Sequence, residues 1–303
     1  ALGHAGRWNK ALEVATEMRK RGVKGDGRTA ASLLNALANN PELLKREAEV
    51  LEKAMGLYED AIAAAPPSTA LFNVLLKVIT RTGRFSDVKT VFPVGMLSPP
   101  PDHFTFTLLF GSAARSSVRY SEWCEYVGWM ERLHICVDIP LMVSLLGAIR
   151  SSLEFRDDAE ALRRLSRWCY QQHGGLFTPY RRPTIGLHYL WLDIHRKLGQ
   201  HDDAIDHYDR YVRLALNSKN IDGLLSACIL RNLNLAGLHG RVLKEFEHHR
   251  TLYLRPTIGS VNAVVEAGLA LGRPSCAESY LRGYLLGRSA AIAPDARTLV
   301  LAE

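Results

Sequence analysis

Four cations recur in one kind of place along this chain. Arg81, Arg115, Arg150 and Lys197 each lie near the C-terminal end of an amphipathic helical stretch, a few residues before a break. If those stretches stack side by side, the four become a column of positive charge able to follow a phosphate backbone. Cations in a last helical turn also complement the helix dipole, at about 0.3–1 kcal/mol each. The sequence admits both readings. The whole chain leans the same way: Lys and Arg number 38 against 31 Asp and Glu, giving a net charge of +7 and a pI near 9.2. A positive field of this size favours a polyanionic partner.

Other reactive groups form no constellation. His195, His201 and His207 are spaced so that they do not share a helix face, and His248 and His249 are adjacent and point apart. They are predicted to be surface or interface histidines, so no metal ligand set is expected. Asp202, Asp203, Asp206 and Asp209 cluster at a helix start, where the dipole favours negative charge. Trp123, Tyr126, Trp129 and Met130 recur at helical spacing and read as inter-helix core. The sequence contains no Gly-rich phosphate loop, nucleophile elbow or HExxH. Neither a catalytic group nor a cofactor is predicted. The five cysteines are odd in number and include no CxxC pair, which argues against a disulfide framework or structural zinc and fits a reducing compartment. No apolar run is long enough to cross a bilayer, so no membrane partner is expected.

The elements that must position these groups are short helices in pairs. From Asn9, Ala11, Leu12, Ala15 and Met18 follow helical spacing until Gly22; a second run, Ala30, Leu33, Leu34 and Leu37, starts the next unit. Asn40-Pro41 is predicted to open one long helix ending at Pro66-Pro67. Ser68 and Asp102 are set to cap the helices of Leu71 to Ile79 and Phe104 to Leu109, with a helix from Phe85 kinked at Pro93 between them. Breaks recur at Gly6-Arg7, Gly83-Arg84, Gly199-Gln200, Gly240-Arg241 and Gly272-Arg273. Gly6 and Gly83 are 77 residues apart, and Gly83 and Gly199 are 116 apart, so the unit is roughly 38 residues. One such pair cannot bury its apolar face alone, and stacked copies are required. The segment 174–183, with two glycines and two prolines, is the expected longer loop between residues 1–173 and 184–303 of one continuous array. The chain begins at Ala1 within a repeat, so any targeting segment is expected to lie outside it.

Gly-Arg, Ala-Leu, Glu-Met, Arg-Gly-Val-Lys and Asp in residues 6–26, and Phe72-Asn73-Val74-Leu75-Leu76 followed by Gly83-Arg84, resemble the pentatricopeptide repeat (PPR) family. The resemblance implies an all-α, right-handed α-solenoid of about eight two-helix repeats. It also implies single-stranded RNA as partner, with one base read per repeat by a small polar residue of the first helix and the last residue of the repeat. Carried over, Asn73 with Asp102 and Asn262 with Asp295 resemble uracil readers, and Thr107 with Asp138 a guanine reader. Ala70, Phe104 and Gly259 take the base-sandwiching positions, where only Phe104 has a stacking face. Ala31, Val143, Tyr189 and Leu230 stand at the reading position of other repeats and lack the needed chemistry. The family further implies an organelle, mitochondrion or plastid. With few reading pairs and a persistent basic column, the expected role is a structural scaffold of a large ribonucleoprotein such as the mitochondrial ribosome, touching ribosomal RNA and protein subunits. The alternatives are a factor specific to one organellar transcript and a protein-interaction scaffold like tetratricopeptide arrays.

Overall fold

One capping chemistry starts the first helix of nearly every pair. In the computed structural model, the side chains of Asp26, Ser68, Asp102, Asp138, Asp222, Thr257 and Asp295 each accept a hydrogen bond from the backbone N–H three residues on. That bond satisfies one of the amides a helix start leaves orphaned. The structure describes residues 5–23, 25–66, 68–82, 85, 88, 100–154, 158–172, 185–213, 222–252, 255–286 and 295–302. Among them every regular element is a helix.

The chain divides into two compact units, 1–166 and 167–303. The expected loop at 174–183 lies outside the described residues. In the first unit the helices are α1 (Trp8–Lys20), α2 (Gly27–Ala38), α3 (Pro41–Leu44), α4 (Glu47–Ala64), α5 (Thr69–Thr82), α6 (His103–Ser116), α7 (Tyr120–Arg132), α8 (Ile139–Glu154) and the start of α9 (Ala159–Gln172). First helices α2, α5, α6 and α8 pack in succession, with α4 behind α2 and α5, and α7 behind α6 and α8. Leu34, Leu37, Leu75, Leu76, Phe106, Phe110, Leu145 and Leu146 are fully buried along these contacts. Each such side chain contributes roughly 1.5–3 kcal/mol through the water it sheds.

The second unit repeats the scheme with α10 (Ile185–Lys197), α11 (His201–His207), α12 (Gly223–Leu235), α13 (His239–Thr251), α14 (Ile258–Ala270), α15 (Pro274–Leu281) and α16 (Ala296–Ala302). First helices α10, α12, α14 and α16 are successive neighbours. Its core joins Leu192, Tyr208, Leu225, Ile229, Leu233, Phe246 and Val264. The fold class is therefore the all-α repeat solenoid that the spacing implied.

Several local expectations are corrected. The helix after Asn40-Pro41 is broken: α3 ends at Leu44 and α4 starts at Glu47, because Arg46 leaves helical geometry at the N-cap of α4. The break expected at Gly240-Arg241 falls earlier, at Gly237, whose φ of 74° only glycine adopts without strain, and Gly240 lies inside α13. The second helices α11 and α15 continue as π-helical turns, Tyr208–Val212 and Arg282–Leu286. Gly83-Arg84 and Pro93 lie outside the described residues, although Phe85 and Val88 are buried and Phe85 meets Tyr126 edge-to-face at 6.1 Å. Trp123, Tyr126 and Met130 are core as expected, and Trp129 is half-buried with Arg132 over its ring.

Candidate nucleic-acid interface

Counting from each cap gives a common frame. The second, fifth, ninth and thirteenth residues after it step by three, four and four, so they share one helix face. After Ser68 that stripe is Ala70, Asn73, Lys77 and Arg81; after Asp102 it is Phe104, Thr107, Gly111 and Arg115. Because α5 and α6 are packed neighbours, the two stripes run side by side.

At the fifth position Asn73 is only 4% exposed and lies in a clamp. Its Nδ2 donates to Asp102 Oδ1 at 3.0 Å, and its Oδ1 accepts from the Thr105 hydroxyl at 2.6 Å. The same Asp102 oxygen accepts from the Thr105 amide at 2.9 Å, so one carboxylate caps α6 and fastens α5 to it. Burial pushes the Asp102 carboxyl up, but the Thr105 amide, the Asn73 amide and the Thr105 hydroxyl hold it below its ordinary value. The second unit rebuilds this arrangement with different spacing. Asn262, 1% exposed, donates to Asp295 at 3.1 Å and accepts from Thr298 at 2.9 Å, and the Thr298 amide and hydroxyl lower the Asp295 carboxyl.

Thr107 and Asp138 are not joined. The Thr107 hydroxyl donates to the His103 carbonyl of its own helix at 2.9 Å, while Asp138 caps α8 and lies 3.8 Å from His103 Nε2. Leu230, assigned to the reading position of its repeat, is fully buried in the core; the frame from Asp222 puts Ala227 there instead. Ala227 faces Gly259 so closely that a Cβ added to the glycine would meet its methyl at 3.2 Å. Phe104 is 46% exposed and offers an open ring face.

The cations divide. Arg81 Nη1 donates to the Ala38 carbonyl and to Asn39 Oδ1, each at 2.7 Å, across to the C-terminal end of α2. Both acceptors are neutral, so the guanidinium charge is not cancelled. Arg115 is held below its ordinary basicity first by burial and then by repulsion from Arg81 on the neighbouring helix. Lys77 is lowered by burial and then by Arg81, and its Nζ donates to Asn35 Oδ1 at 3.1 Å. Lys77 was missed in the sequence, although its place one helical turn before Arg81 was a legible signal. Arg150 falls one residue out of the frame and lies 4.0 Å from Glu154. Lys197 ends α10 in the second unit, half-buried.

In the second unit two cations at this face are paired. Arg196 donates to buried Asp193 at 2.5 Å, and Arg297, in the position of Phe104, pairs with Glu266. Of the histidines read as surface or interface residues, those in this unit's core lie at interfaces between helices. His188, His195, His207 and His249 are buried, and burial pushes His188, His195 and His249 down to about 4. His188 Nδ1 and His207 Nε2 approach at 3.1 Å, and His249 meets the Ser226 hydroxyl at 2.9 Å. Among the described residues no group of three or more His, Cys, Asp or Glu is placed to hold a metal ion. No described helix is long and apolar enough to cross a membrane.

No family model matches the sequence, and no curated protein matches it either. Solved structures do. Over 93% of its length the chain is similar to the pentatricopeptide repeat protein PPR10 in complex with an 18-nt psaJ RNA element, at 17% identity and a TM-score of 0.51. A triple Cys-to-Ser variant of PPR10 with the same element gives the same values, and PPR10 from maize alone aligns with 99% of the chain at a TM-score of 0.48. The chain spans 38% of the length of the proteins in the two complexes. With the helix pairs, their caps and the clamp between first helices in place, the chain has the pentatricopeptide repeat fold.

Proposed function

We infer that the protein is a non-catalytic RNA-binding scaffold that holds single-stranded or ribosomal RNA mainly by its backbone, as a structural part of a large ribonucleoprotein such as the mitochondrial ribosome. The observation that carries this reading is the first-unit stripe. There Lys77, Arg81 and Arg115 stand on adjacent helices, with only neutral acceptors or none among the described residues, and Phe104, 46% exposed, lies on the same stripe toward the other end of its helix. Arrayed cations fix phosphates, and an exposed ring stacks any base. Asn73 and Asn262, by contrast, commit both ends of their amides within the protein. Base-edge reading must compete with those bonds, which favours holding over reading.

Crosslinking the protein to RNA in its native extract, with sequencing and sedimentation, tests this. Reads on ribosomal RNA and sedimentation with ribosomal particles are expected. Reads on a single messenger would replace the reading with a transcript-specific factor, and absence of RNA would end it. Residence in the mitochondrion, with the plastid as the alternative, belongs to the same proposal and is checked by imaging the tagged protein.

A further inference from the structure

The first-helix face of the second unit carries a groove that the RNA reading does not use. It encloses about 350 Å³ between α12, α14 and their neighbours, and is lined by Arg231, Leu235, Ala270, Arg196, Arg297 and Glu266, with Asn234 and His239 at one wall. In the frame counted from the caps, Leu235 and Ala270 occupy the thirteenth positions, where the first unit has Arg81 and Arg115. Leu235 is 58% exposed, an unusual place for a leucine in the last turn of a packed helix. Leu238, Leu269 and Leu271 are also exposed at the C-terminal ends of α12 and α14.

The polar lining is already committed except at one point. Arg196 is held by Asp193 and Arg297 by Glu266, while Asn234 donates to the Ala263 carbonyl at 2.6 Å and lies 3.1 Å from His239 Nδ1. Arg231 makes no ion pair among the described residues; the charge it influences is Asp295, whose carboxylate is committed to the clamp. The groove therefore presents one available guanidinium beside an aliphatic surface. Its lining has no aromatic ring except the His239 imidazole, so it offers little of the base-stacking surface that adds to the binding of single strands.

We propose that this groove docks an acidic amphipathic segment of another protein. An aliphatic side chain of the segment lies on Leu235 and Ala270, and a carboxylate one helical turn away pairs bidentately with Arg231. Charge complementarity selects the occupant: a guanidinium fork matches a carboxylate, and the apolar floor rewards burial of a side chain that RNA does not have. The inference is independent of whether the first unit holds RNA.

The test is selection of a random library of peptides of about twelve residues on the immobilised full chain. Affinities of the enriched peptides are then measured against the wild type, Arg231→Glu, Leu235→Asp and Ala270→Glu, with helicity and melting confirming that each variant folds. Enrichment of peptides with Asp or Glu three or four residues from Leu, Ile or Met, and about tenfold or greater loss on Arg231→Glu and on either apolar substitution, is the expected result. Absence of enrichment, affinity indifferent to these substitutions, or displacement of the peptides by oligouridine or oligoguanosine RNA would overturn it. RNA association of the same variants, measured in parallel, separates failure here from failure of the scaffold reading.

Discussion

At the ninth and thirteenth positions after the cap, α5 and α6 carry Lys77, Arg81 and Arg115, whereas α12 and α14 carry Arg231, Glu266, Leu235 and Ala270. The second position contrasts as well, with Phe104 on α6 and Arg297, paired to Glu266, on α16. Both units keep the Asn–Asp–Thr clamp between first helices, so the scaffold is shared while the face it presents is not. In a repeat fold each unit packs only on its neighbours, which leaves the outward residues of a first helix free to change without disturbing the stack. Among the described residues, paired Arg196 and Arg297 beside an unpaired Arg231 and an exposed leucine on one unit, and Lys77, Arg81 and Arg115 without a carboxylate partner, with an exposed ring, on the other, are two outcomes of that freedom.

The units differ inside as well, and there the largest effect is expected. His188, His195 and His249 of the second unit have folded pKa values near 4, below the ordinary 6.5, because burial disfavours their charged forms. The unfolded chain then binds protons that the folded unit refuses. The stabilisation is complete above pH 6.5, declines as pH falls and is gone below about 4, at up to about 3 kcal/mol per histidine. His103 and His134 of the first unit are exposed. Hydrogen exchange at pH 7 and pH 5 should show α10 to α14 losing protection while α5 to α8 keep theirs; equal loss in both units would erase this contrast.

Charge reversal sharpens the comparison of faces. Lys77→Glu with Arg115→Glu should weaken RNA association by about a hundredfold and reduce the salt dependence by roughly one phosphate per cation. Arg231→Glu should leave RNA affinity within about twofold in the same filter-binding titration. Adding Arg81→Glu tests the column further but also removes the bonds to Ala38 and Asn39, so Arg115 is the cleaner probe. Equal sensitivity of the two units would show that RNA runs along both.

The clamp should behave alike in the two units. Asn73→Ala and Asn262→Ala each remove two hydrogen bonds from a buried clamp, leaving the Thr hydroxyl only its Asp partner, at about 1–3 kcal/mol of stability. Chemical denaturation should register both losses, and a loss confined to one unit would separate a shared strut from a local one. Smallest of all, Phe104→Ala should cost about 1 kcal/mol of RNA binding by removing a stacking face, with stability within about 0.5 kcal/mol because the ring is largely exposed.

Much of this was legible in the chain. Helix pairs, their period and the caps Ser68 and Asp102 follow from residues adjacent in sequence, since capping, glycine turns and helical periodicity are settled within a few positions. That locality is also why the errors were local: Gly237 rather than Gly240 as the turn, and a break at Arg46 inside an apparently continuous apolar pattern. The split of α3 from α4 had no local signal strong enough to read.

What each polar side chain does was decided elsewhere. Asn73 meets an acid 29 residues away, and Arg81 reaches acceptors 42 and 43 residues back. His249 is buried between Ser226 of its own pair and Tyr208 of the preceding one. Sequence alone determined that the chain forms stacked helix pairs with a basic surplus, because helix formation and capping are short-range. Only the tertiary structure decided which cations remain uncancelled, which amides are consumed in clamps and which leucines face water, because those depend on what the next repeat presents across the packed interface.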